Sequence, residues 1–322
     1  MPKVSVIIPV YGVEKYIERC ARSLFEQTLD DIEYLFIDDC TPDKSVEILK
    51  RVLEEYPHRK SQVVIHRMEQ NSGQAKVREW GMRNARGEYV IHCDSDDWVD
   101  VHMYEEMYNK AIEEDADVVV CDFITHDGKN TIERVSGCTS NGYNGFLTQL
   151  LLQRDSWSLW NKLFSRRVCS KEDFIYPSGN MGEDMVLCIQ MMLNSKRLSY
   201  VNEAYYYYYC NPASITNKST ISCNMRNFEH LRSNTDLLIS ILIKKDIPCK
   251  KWIINGFQYN AIVPLLKLIH NNKKYRHLWF KAYPGAICRF LFNPYIDIRR
   301  RTKCLLALLR LYPFKSDRVT DL

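Results

Sequence analysis

The sequence predicts an α/β fold, in which a mostly parallel sheet flanked by helices is followed by a part of the chain made of helices alone. Two observations favour it. Over residues 3–100, short β-rich apolar segments alternate with stretches of helical periodicity, as in strands joined by right-handed crossover helices. After about residue 220 only helical periodicity continues. Two successive regions are therefore expected, residues 1–220 and residues 221–322.

The predicted strands are short runs of apolar and β-branched residues that end in turn-forming or acidic residues. In chain order they are residues 3–10, 32–37, 63–66, 89–93, 117–122 and 205–209. The predicted helices are segments in which apolar residues recur every three to four positions. They are residues 13–27, 43–56, 73–84 and 101–115, a helix from about 183, and in the second region 223–244, 250–270, 275–290 and 296–311. Residues 126–144 have weak periodicity and are expected to form a loop or an excursion of the chain on the acceptor side.

Composition indicates a globular protein with reduced cysteines. The 322 residues are 46% hydrophobic, enough to bury one large core or a core with a smaller second one. The twelve cysteines form no Cys-x-x-Cys pair, and the first residues do not resemble a secretory signal, so we expect a cytoplasmic location. No apolar segment approaches the roughly 20 residues that a membrane-spanning helix needs.

The net charge of +4 is unevenly distributed along the chain. Residues 271–322 contain twelve Lys and Arg against three Asp and Glu, a net charge of +9, which leaves −5 for residues 1–270. Basic and apolar residues interleave there as in helices that lie on an anionic membrane surface, so a peripheral membrane contact is one interpretation. A solvated basic face over an ordinary helical core is the other. Nucleic acid is not an expected partner, because no recognised binding motif accompanies the charge.

The strand predicted at residues 89–93 ends in three aspartates, Asp94, Asp96 and Asp97. Carboxylates this close repel one another unless a cation lies between them, and their hard oxygens suit Mg²⁺ or Mn²⁺. A metal at Asp94 and Asp96 that keeps open positions can also bind a diphosphate. The alternative is that these residues only end the strand and cap the next helix.

Four polar loops are expected to meet at one edge of the sheet. Residues 9–11, 38–39, 71–73 and 94–97 each follow a predicted strand, and the carboxyl ends of parallel strands share the edge where α/β proteins bind ligands. The chain has neither a Gly-x-Gly-x-x-Gly turn after its first strand nor a Gly-Lys-Ser/Thr phosphate loop. The loops therefore favour a metal-diphosphate site over a dinucleotide or P-loop site.

These segments, in this order, resemble the nucleotide-sugar domain of glycosyltransferase family 2. The matching stretches are Val-Ser-Val-Ile-Ile-Pro-Val-Tyr, Ile-Asp-Asp-Cys-Thr-Pro-Asp, Asn-x-Gly with Arg78, and Gly-Glu-Tyr-Val-Ile-His-Cys-Asp-Ser-Asp-Asp-Trp. They span residues 3–100, and further matches continue to about residue 216. The resemblance implies a GT-A fold, a divalent metal and inversion of the anomeric carbon.

The resemblance also implies roles for individual residues. Residues 1–100 would form the nucleotide-sugar-binding half of the domain, and residues 101–220 the acceptor and catalytic half. Donor contacts are implied for Pro9, Tyr11, Asp38, Asp39, Gly73, Arg78, Asp94, Ser95 and Asp96, with Asp94 and Asp96 also binding the metal. Glu79 departs from the family's usual Ala-Arg-Asn, so no contact is carried over to position 79.

In the family, a Glu-Asp pair at the start of a later helix supplies the catalytic base, and Glu183 and Asp184 occupy that place. We expect Asp184 to take the proton of the acceptor hydroxyl as it attacks opposite the departing diphosphate, with Glu183 as its neighbour. Trp160 and Lys162 lie in a segment similar to the family's acceptor pocket. An aromatic core with a snorkelling lysine explains that segment equally well.

The resemblance reaches an aromatic strand and the residues that follow it. Tyr205–Tyr209 would alternate between the core and a sugar-stacking wall. Cys210 stands where many relatives have Arg, and Ser214-Ile215-Thr216 matches the end of the family segment.

The predicted function is that of an inverting, metal-dependent hexosyltransferase, with a nucleotide-sugar donor (UDP-linked by expectation) and a glycan or lipid-linked glycan acceptor in surface polysaccharide biosynthesis. A sugar nucleotidyltransferase is the rival enzyme, but it needs a Gly-rich phosphate loop where this chain has Pro9-Val-Tyr-Gly12. A non-catalytic subunit that binds nucleotide sugar or glycan is the other rival. The presence of Asp94, Asp96 and Asp184 together disfavours it.

Overall fold

A computed structural model describes residues 1–211, 220–268 and 273–309, together with Leu311. The chain divides into two compact units. Unit 1 consists of Met1–Leu150, Asp155–Tyr176 and Leu187–Asn211, and unit 2 of Leu151–Arg154, Pro177–Val186 and Pro212–Leu322. Unit 1 contains the sheet, and unit 2 contains the last five helices of the described chain.

The described residues form one sheet of nine strands. In chain order these are β1 (Val4–Val10), β2 (Ile32–Asp38), β3 (Val63–Arg67), β4 (Tyr89–His92), β5 (Trp98–Val99), β6 (Val118–His126), β7 (Thr131–Val135), β8 (Lys162–Ser165) and β9 (Leu198–Tyr209). Their spatial order is β3-β2-β1-β4-β8-β6-β9-β5, with β7 paired to β6. Strands β3, β2, β1 and β4 are parallel, as are β6 and β9, whereas β8 runs antiparallel to both β4 and β6. The carboxyl ends of β1, β2 and β4 therefore share one edge.

Helices follow or separate these strands. The first seven are α1 (Ile17–Phe25), α2 (Ser45–Glu54), α3 (Gln74–Asn84), α4 (Met103–Glu113), α5 (Gly142–Leu151), α6 (Arg166–Cys169) and α7 (Glu183–Asn194). Unit 2 continues with α8 (Ile221–Ile243), α9 (Lys250–Ile262), α10 (Lys273–Lys281), α11 (Ala286–Leu291) and α12 (Ile298–Leu308). Two short 3-10 helices are also present: Pro57–Gln62 follows α2, and Val263–Lys267 follows α9.

The first strands are nearly continuous apolar runs because both faces of the parallel sheet are covered. All seven residues of β2 are buried. Successive residues of β1 enter different cores, Ile8 joining the cluster on one face and Ile7 the cluster on the other. The same alternation separates Phe36 from Leu35 on β2. Tight coverage of both faces holds the strand ends, and the loops beyond them, in fixed positions.

Unit 2 has a hydrophobic core of its own. Trp279 is fully buried, and the rings of Tyr259 and Phe290 stack with their centroids 3.6 Å apart. Thr220 caps α8 by accepting a hydrogen bond from Cys223 N–H at 3.1 Å. Within the described ranges, we find no helix with the length and apolar character needed to cross a bilayer.

The predicted fold class is confirmed, with a parallel first half of the sheet, flanking helices and a helical C-terminal part. The expected loop at residues 126–144 was wrong, because β7 lies within it and α5 begins at its end. Sequence periodicity missed β7 because four of its five residues are exposed. The helix predicted at 275–290 is two helices, separated where Gly285 adopts a φ of +74°. The helix predicted at 250–270 ends at Ile262, and residues 269–270 lie outside the described chain.

Candidate functional site

The loops after β1 and β2 are joined by hydrogen bonds at the carboxyl edge of the sheet. Gly12, with φ +68°, donates its N–H to Thr41 Oγ1 at 2.8 Å, and Glu14 donates its N–H to Asp43 Oδ2 at 2.9 Å. Pro9 lies one residue before the end of β1, and Tyr11, just beyond the strand, is 49% exposed. These contacts present the Tyr11 ring to solvent on a braced loop.

Asp38 is the last residue of β2 and Asp39 follows it, and both are buried. Asp38 accepts hydrogen bonds from Thr41 N–H at 2.7 Å and from the Arg67 guanidinium at 3.1 Å. Asp39 accepts from the backbone N–H groups of Ser72 and Gly73, at 2.7 and 2.8 Å. The Asp39 carboxylate therefore holds the loop before α3 in place, and the donor contact expected of this residue stays a prediction.

Arg78 and Asp94 form an ion pair beneath this edge. The guanidinium of Arg78 donates to Asp94 Oδ1 at 2.9 Å. The Arg78 side chain is 4% exposed, whereas the Asp94 side chain is 25% exposed. Burial, together with the charge of Arg78, lowers the pKa of His92 well below its ordinary value, so His92 is neutral. Arg78 thus orients Asp94 from inside the protein while part of the carboxylate faces solvent.

Asp96 is held through its backbone and its side chain. Its carbonyl oxygen accepts from the Arg19 guanidinium at 2.8 Å, and its Oδ2 accepts from the Asn211 amide at 3.1 Å. Arg19 also lies over the Trp98 ring, 3.7 Å from its centroid. Burial and the neighbouring Asp94 charge raise the pKa of the Asp96 carboxyl above its ordinary value.

Asp97 connects the acidic loop to β9. Its carboxylate accepts from the Tyr206 hydroxyl at 2.6 Å and from Tyr209 N–H at 2.7 Å. The Tyr206 oxygen in turn accepts from Asp94 N–H at 3.1 Å. Burial first, and then the charges of Asp96 and Asp94, raise the pKa of Asp97 well above its ordinary value. Ser95, between the two aspartates, is also buried. The chain of hydrogen bonds fixes the backbone from which Asp94 and Asp96 project.

Aromatic side chains extend from this network. The Trp160 ring stacks on Tyr206 and Tyr208, with centroid distances of 4.3 and 5.7 Å. On the opposite face of β9, Tyr207 stacks on Trp98 at 5.2 Å. Tyr206 is buried and Tyr208 is 36% exposed although both contact Trp160 on one face of β9, so exposure here changes along the strand. The expected alternation between core and sugar-stacking wall stays a prediction.

Lys162 has a different environment from the one its acceptor role would suggest. It is fully buried, and its ammonium donates to the carbonyl oxygens of Ser156 and Ser158 at 3.0 and 2.9 Å and to Asn161 Oδ1 at 2.9 Å. These bonds fix the segment that precedes Trp160. Lys162 is therefore placed to support the aromatic wall from within.

Glu183 and Asp184 occupy the first turn of α7. Glu183 is 5% exposed, Asp184 is half-buried, and Asp184 Oδ1 accepts from Met185 N–H at 2.8 Å. Both residues belong to unit 2, whereas Asp94 and Asp96 belong to unit 1. Their catalytic role stays a prediction. Ser214-Ile215-Thr216 lies outside the described residues.

A divalent cation is compatible with the donor atoms at the acidic loop. Among the described residues no group of three or more His, Cys, Asp or Glu side chains has the arrangement of a metal site. Two carboxylates with diphosphate oxygens nevertheless make a suitable hard-oxygen set for Mg²⁺ or Mn²⁺. Burial first, and then the neighbouring charge of Asp94, raise the pKa of Asp96, and a cation bound between the two carboxylates would favour their ionised forms.

Sequence patterns identified Asp94 and Asp96 but not the residues that hold them. Asp97, Tyr206, Arg19 and Asn211 were not assigned to the site. Tyr206 contacts an aspartate 109 positions away, and Arg19 reaches across 77 positions. For Asp97 the available sequence signal was its place in the acidic run, and for Tyr206 it was the tyrosine run of β9. Arg19 and Asn211 had no such signal.

Comparison with known proteins agrees with these motifs. The model of the family described as glycosyl transferase family 2 matches residues 5–176. Glycosyltransferase GlyA of Streptococcus pneumoniae is 31% identical over 66% of this chain and 31% of its own length. The uncharacterized glycosyltransferase EpsJ of Bacillus subtilis is 30% identical over 67% of this chain and 63% of its own. The poly(ribitol-phosphate) beta-glucosyltransferase of Bacillus spizizenii is 27% identical over 64% of this chain and 32% of its own.

The chain thus spans between 31% and 63% of the length of these curated relatives. Among solved structures, S. aureus TarS 1-349 in complex with UDP-GlcNAc has a TM-score of 0.72 and 20% identity, over 96% of this chain and 88% of that one. At 20% identity, this structural similarity shows a shared fold alone.

Proposed function

The chain belongs to glycosyltransferase family 2, and on that premise we propose that it transfers a hexose or related sugar from a nucleotide-sugar donor to a glycan, with inversion of the anomeric carbon. The observation that carries the proposal is the braced acidic loop after β4. Asp94 and Asp96 project there from a backbone that Tyr206 and Arg19 hold, at the edge shared with the loops of β1 and β2.

The donor is a nucleoside diphosphate sugar in this proposal. The nucleoside lies along the loops of β1 and β2, with Tyr11 offering an exposed ring and Asp38 a buried carboxylate. The sugar diphosphate lies toward Arg78, Asp94 and Asp96. The likeness of the fold to TarS, whose structure contains UDP-GlcNAc, supports a UDP-linked donor.

Asp94 and Asp96 are proposed to hold Mn²⁺ or Mg²⁺, which when bound stabilises the negative charge of the leaving diphosphate. Arg78 orients Asp94 through its 2.9 Å contact. The Asn211 side-chain amide donates a hydrogen bond to Asp96 Oδ2. The remaining carboxylate oxygens are the ligands that this chain contributes.

Asp184 is proposed as the general base. The acceptor hydroxyl becomes nucleophilic as its proton passes to Asp184 and its oxygen bonds to the anomeric carbon from the face opposite the diphosphate. One displacement of this kind inverts the configuration. Glu183, its neighbour in the chain, is proposed to contact the acceptor.

The acceptor is proposed to be a glycan or lipid-linked glycan of a cell-surface polymer. The exposed Tyr208, which packs on the buried Trp160, offers an aromatic ring of the type that stacks on sugar rings. The similarity to a poly(ribitol-phosphate) beta-glucosyltransferase supports an acceptor of this class. Lys162 acts as a positioning residue for Trp160.

Donor binding by Asp96→Asn tests the metal assignment. Because a buried charged contact is worth about 1.5–3 kcal/mol, we expect the Mn²⁺-dependent affinity for UDP-sugar to fall by about tenfold or more in calorimetry. The full chain, assayed with a panel of nucleotide sugars, should also lose transfer. Asp173→Asn, at an exposed position, is the matched control. Unchanged Mn²⁺-dependent affinity in Asp96→Asn would refute the metal assignment.

The same panel, extended by nucleoside triphosphates with sugar phosphates, separates the rival functions. A sugar nucleotidyltransferase would release diphosphate from a nucleoside triphosphate and a sugar phosphate, and a non-catalytic subunit would bind nucleotide sugar without turnover. A transferase releases the nucleoside diphosphate and forms a glycosidic bond to the acceptor.

A further inference from the structure

The outer side of α12 carries apolar side chains that no described residue covers. Ile298, Leu305 and the C-cap residue Leu309 are 74%, 46% and 57% exposed. At about 100° per residue these three positions lie within about 40° of one another around the helix axis, so they form one stripe. The inner side already fills the core of unit 2 through the buried Cys304 and Ala307. The helix therefore has a second apolar face beyond the one that its own fold needs.

Exposed basic side chains lie on one side of this stripe, with Arg299 and Lys303 about 100° and 140° from Ile298 around the helix axis. Arg300 and Arg301 are committed to structure, since Arg300 donates to Gln153 Oε1 at 3.1 Å and Arg301 donates to the carbonyl oxygens of Ile296 and Asn293 at 3.0 and 2.8 Å. Arg299 and Lys303 are exposed and have no hydrogen-bond or ion-pair partner among the residues that the structure describes. We call Ile298, Arg299, Lys303, Leu305 and Leu309 the outer face of α12.

Neighbouring segments of unit 2 add further exposed groups of the same two kinds. Phe292, which follows α11, is 78% exposed, and Leu311 is 65% exposed. On α10, Phe280 is 41% exposed and lies 5.5 Å from the Arg276 guanidinium. Arg276 also donates to the carbonyl oxygen of Leu308 at 2.8 Å, which joins α10 to the end of α12.

We propose that the outer face of α12 docks on the surface of an anionic lipid bilayer, with the helix lying in the plane of the interface. The apolar stripe enters the boundary between headgroups and acyl chains, and Arg299 and Lys303 contact lipid phosphates. A polyanionic glycan would match the charge but would gain nothing from exposed Ile298, Leu305 and Leu309. The combination therefore favours a bilayer, and the contact is independent of the transferase reaction.

Vesicle sedimentation of the full chain tests this inference. We expect binding to phosphatidylglycerol-containing vesicles and little binding to phosphatidylcholine vesicles. The triple variant Ile298→Ser, Leu305→Ser, Leu309→Ser should lower the partition coefficient by tenfold or more. The single variants Arg299→Gln and Lys303→Gln should each lower the partition coefficient about fivefold, since one basic side chain near such a surface contributes on the order of 1 kcal/mol. These positions are exposed, so the variants should fold, as checked by thermal unfolding.

Matched controls come from exposed positions of unit 1. Ile112→Ser with Ile132→Ser controls for lost apolar surface, and Lys129→Gln with Lys171→Gln controls for lost charge. Controls that bind like the unmodified chain support docking through α12. Equal sedimentation of the unmodified chain with both kinds of vesicle overturns the proposal. So does binding that falls with the charge variants but not with the apolar triple variant, because it indicates a polyanion contact.

Discussion

Asp97 is a buried carboxylate whose contacts arrange the side chains on either side of it. It accepts from Tyr206 and from Tyr209 N–H, while the Tyr206 oxygen accepts from Asp94 N–H. The hydroxyl is thus donor to one aspartate and acceptor from the backbone of another. Its loss would leave two buried polar groups of the acidic loop without these bonds, each at a cost of about 1–3 kcal/mol.

We therefore predict that Tyr206→Phe lowers the free energy of unfolding by about 2 kcal/mol and raises the KM for the donor more than it lowers kcat. The physical reason is a displaced Asp94, which weakens donor binding in the ground state. Tyr207→Phe is the control, because its ring keeps the contact with Trp98 on the other face of β9. Identical donor KM values in the two variants would remove Tyr206 from the positioning role.

Asp184→Asn separates binding from chemistry. An amide of the same shape cannot take the proton of the acceptor hydroxyl, so transfer should fall by about 10²-fold or more while donor affinity is retained. Single-turnover transfer and calorimetric donor binding are the two measurements. A variant with normal turnover would show that another group is the base.

Residue roles can be predicted where the chemistry lies within one short segment. Asp94 and Asp96 follow a buried strand and are two positions apart in the chain, so their type and spacing suffice for a metal-site prediction, which stays a prediction. Arg19 and Tyr206 act through partners that only the folded sheet brings near them. Lys162 was ambiguous for the same reason, since burial of its ammonium depends on how the segment from Ser156 to Asn161 folds back.

At the scale of elements, β1, β2 and β4 were predicted within one or two residues because continuous burial leaves a clear apolar run. Strand β3 is only partly buried, and its β-branched run Val63-Val64-Ile65 was the signal that predicted it. Strand β7 was not predicted, because exposed residues carry no such constraint. Strand β9 begins at Leu198, seven positions before the predicted start at 205, since exposed polar residues such as Asn202 and Glu203 interrupt its apolar pattern. The periodic signal therefore reports packing rather than hydrogen bonding.

Asp117 shows how one carboxylate joins elements of unit 1. It accepts from Lys196 and Arg197 N–H at 2.7 and 3.0 Å, just before β9, and from Arg167 Nε at 2.9 Å on α6. Burial alone would raise the pKa of Asp117, but these hydrogen bonds and the Arg167 charge hold it below its ordinary value. The ionised form is thus favoured in the folded state.

Asp117→Asn should lower the free energy of unfolding by about 2 kcal/mol at pH 7. A lowered folded-state pKa contributes stability that is present above the unfolded value, near pH 4, and is lost as pH falls through the folded value. The difference between the unmodified chain and Asp117→Asn should therefore shrink below about pH 4. Urea unfolding at pH 7 and at acid pH measures it, and a difference constant with pH would contradict the ionic contribution. Asp173→Asn, at an exposed position, is the control.

At the scale of the whole molecule, each unit has its own hydrophobic core, and the residues proposed to bind the donor lie in unit 1. Ligand binding stabilises the structure that forms the site, by about 2.7 kcal/mol when the ligand is at 100 times its Kd. Stabilisation by donor should therefore be largest in the strands that carry the loops.

Amide hydrogen exchange with and without UDP and Mn²⁺ measures where the bound nucleotide stabilises the chain. We expect slower exchange of the amides in β1, β2 and β4, and smaller changes in the core helices α9 and α11. Mn²⁺ alone should give a smaller effect than Mn²⁺ with UDP, because the diphosphate supplies the remaining ligands. Equal protection of both sets of elements would contradict a donor site carried by unit 1.

The two backbone hydrogen bonds of Asp39 have a kinetic consequence. The turn before α3 is already shaped by them, and Gly73 adopts the φ of +81° that this shape requires. A nucleotide that reaches this turn has little chain to order, so little entropy is lost on contact. The association rate of the nucleotide should then depend on diffusion and charge. Its dissociation rate should depend on its contacts with the acidic loop.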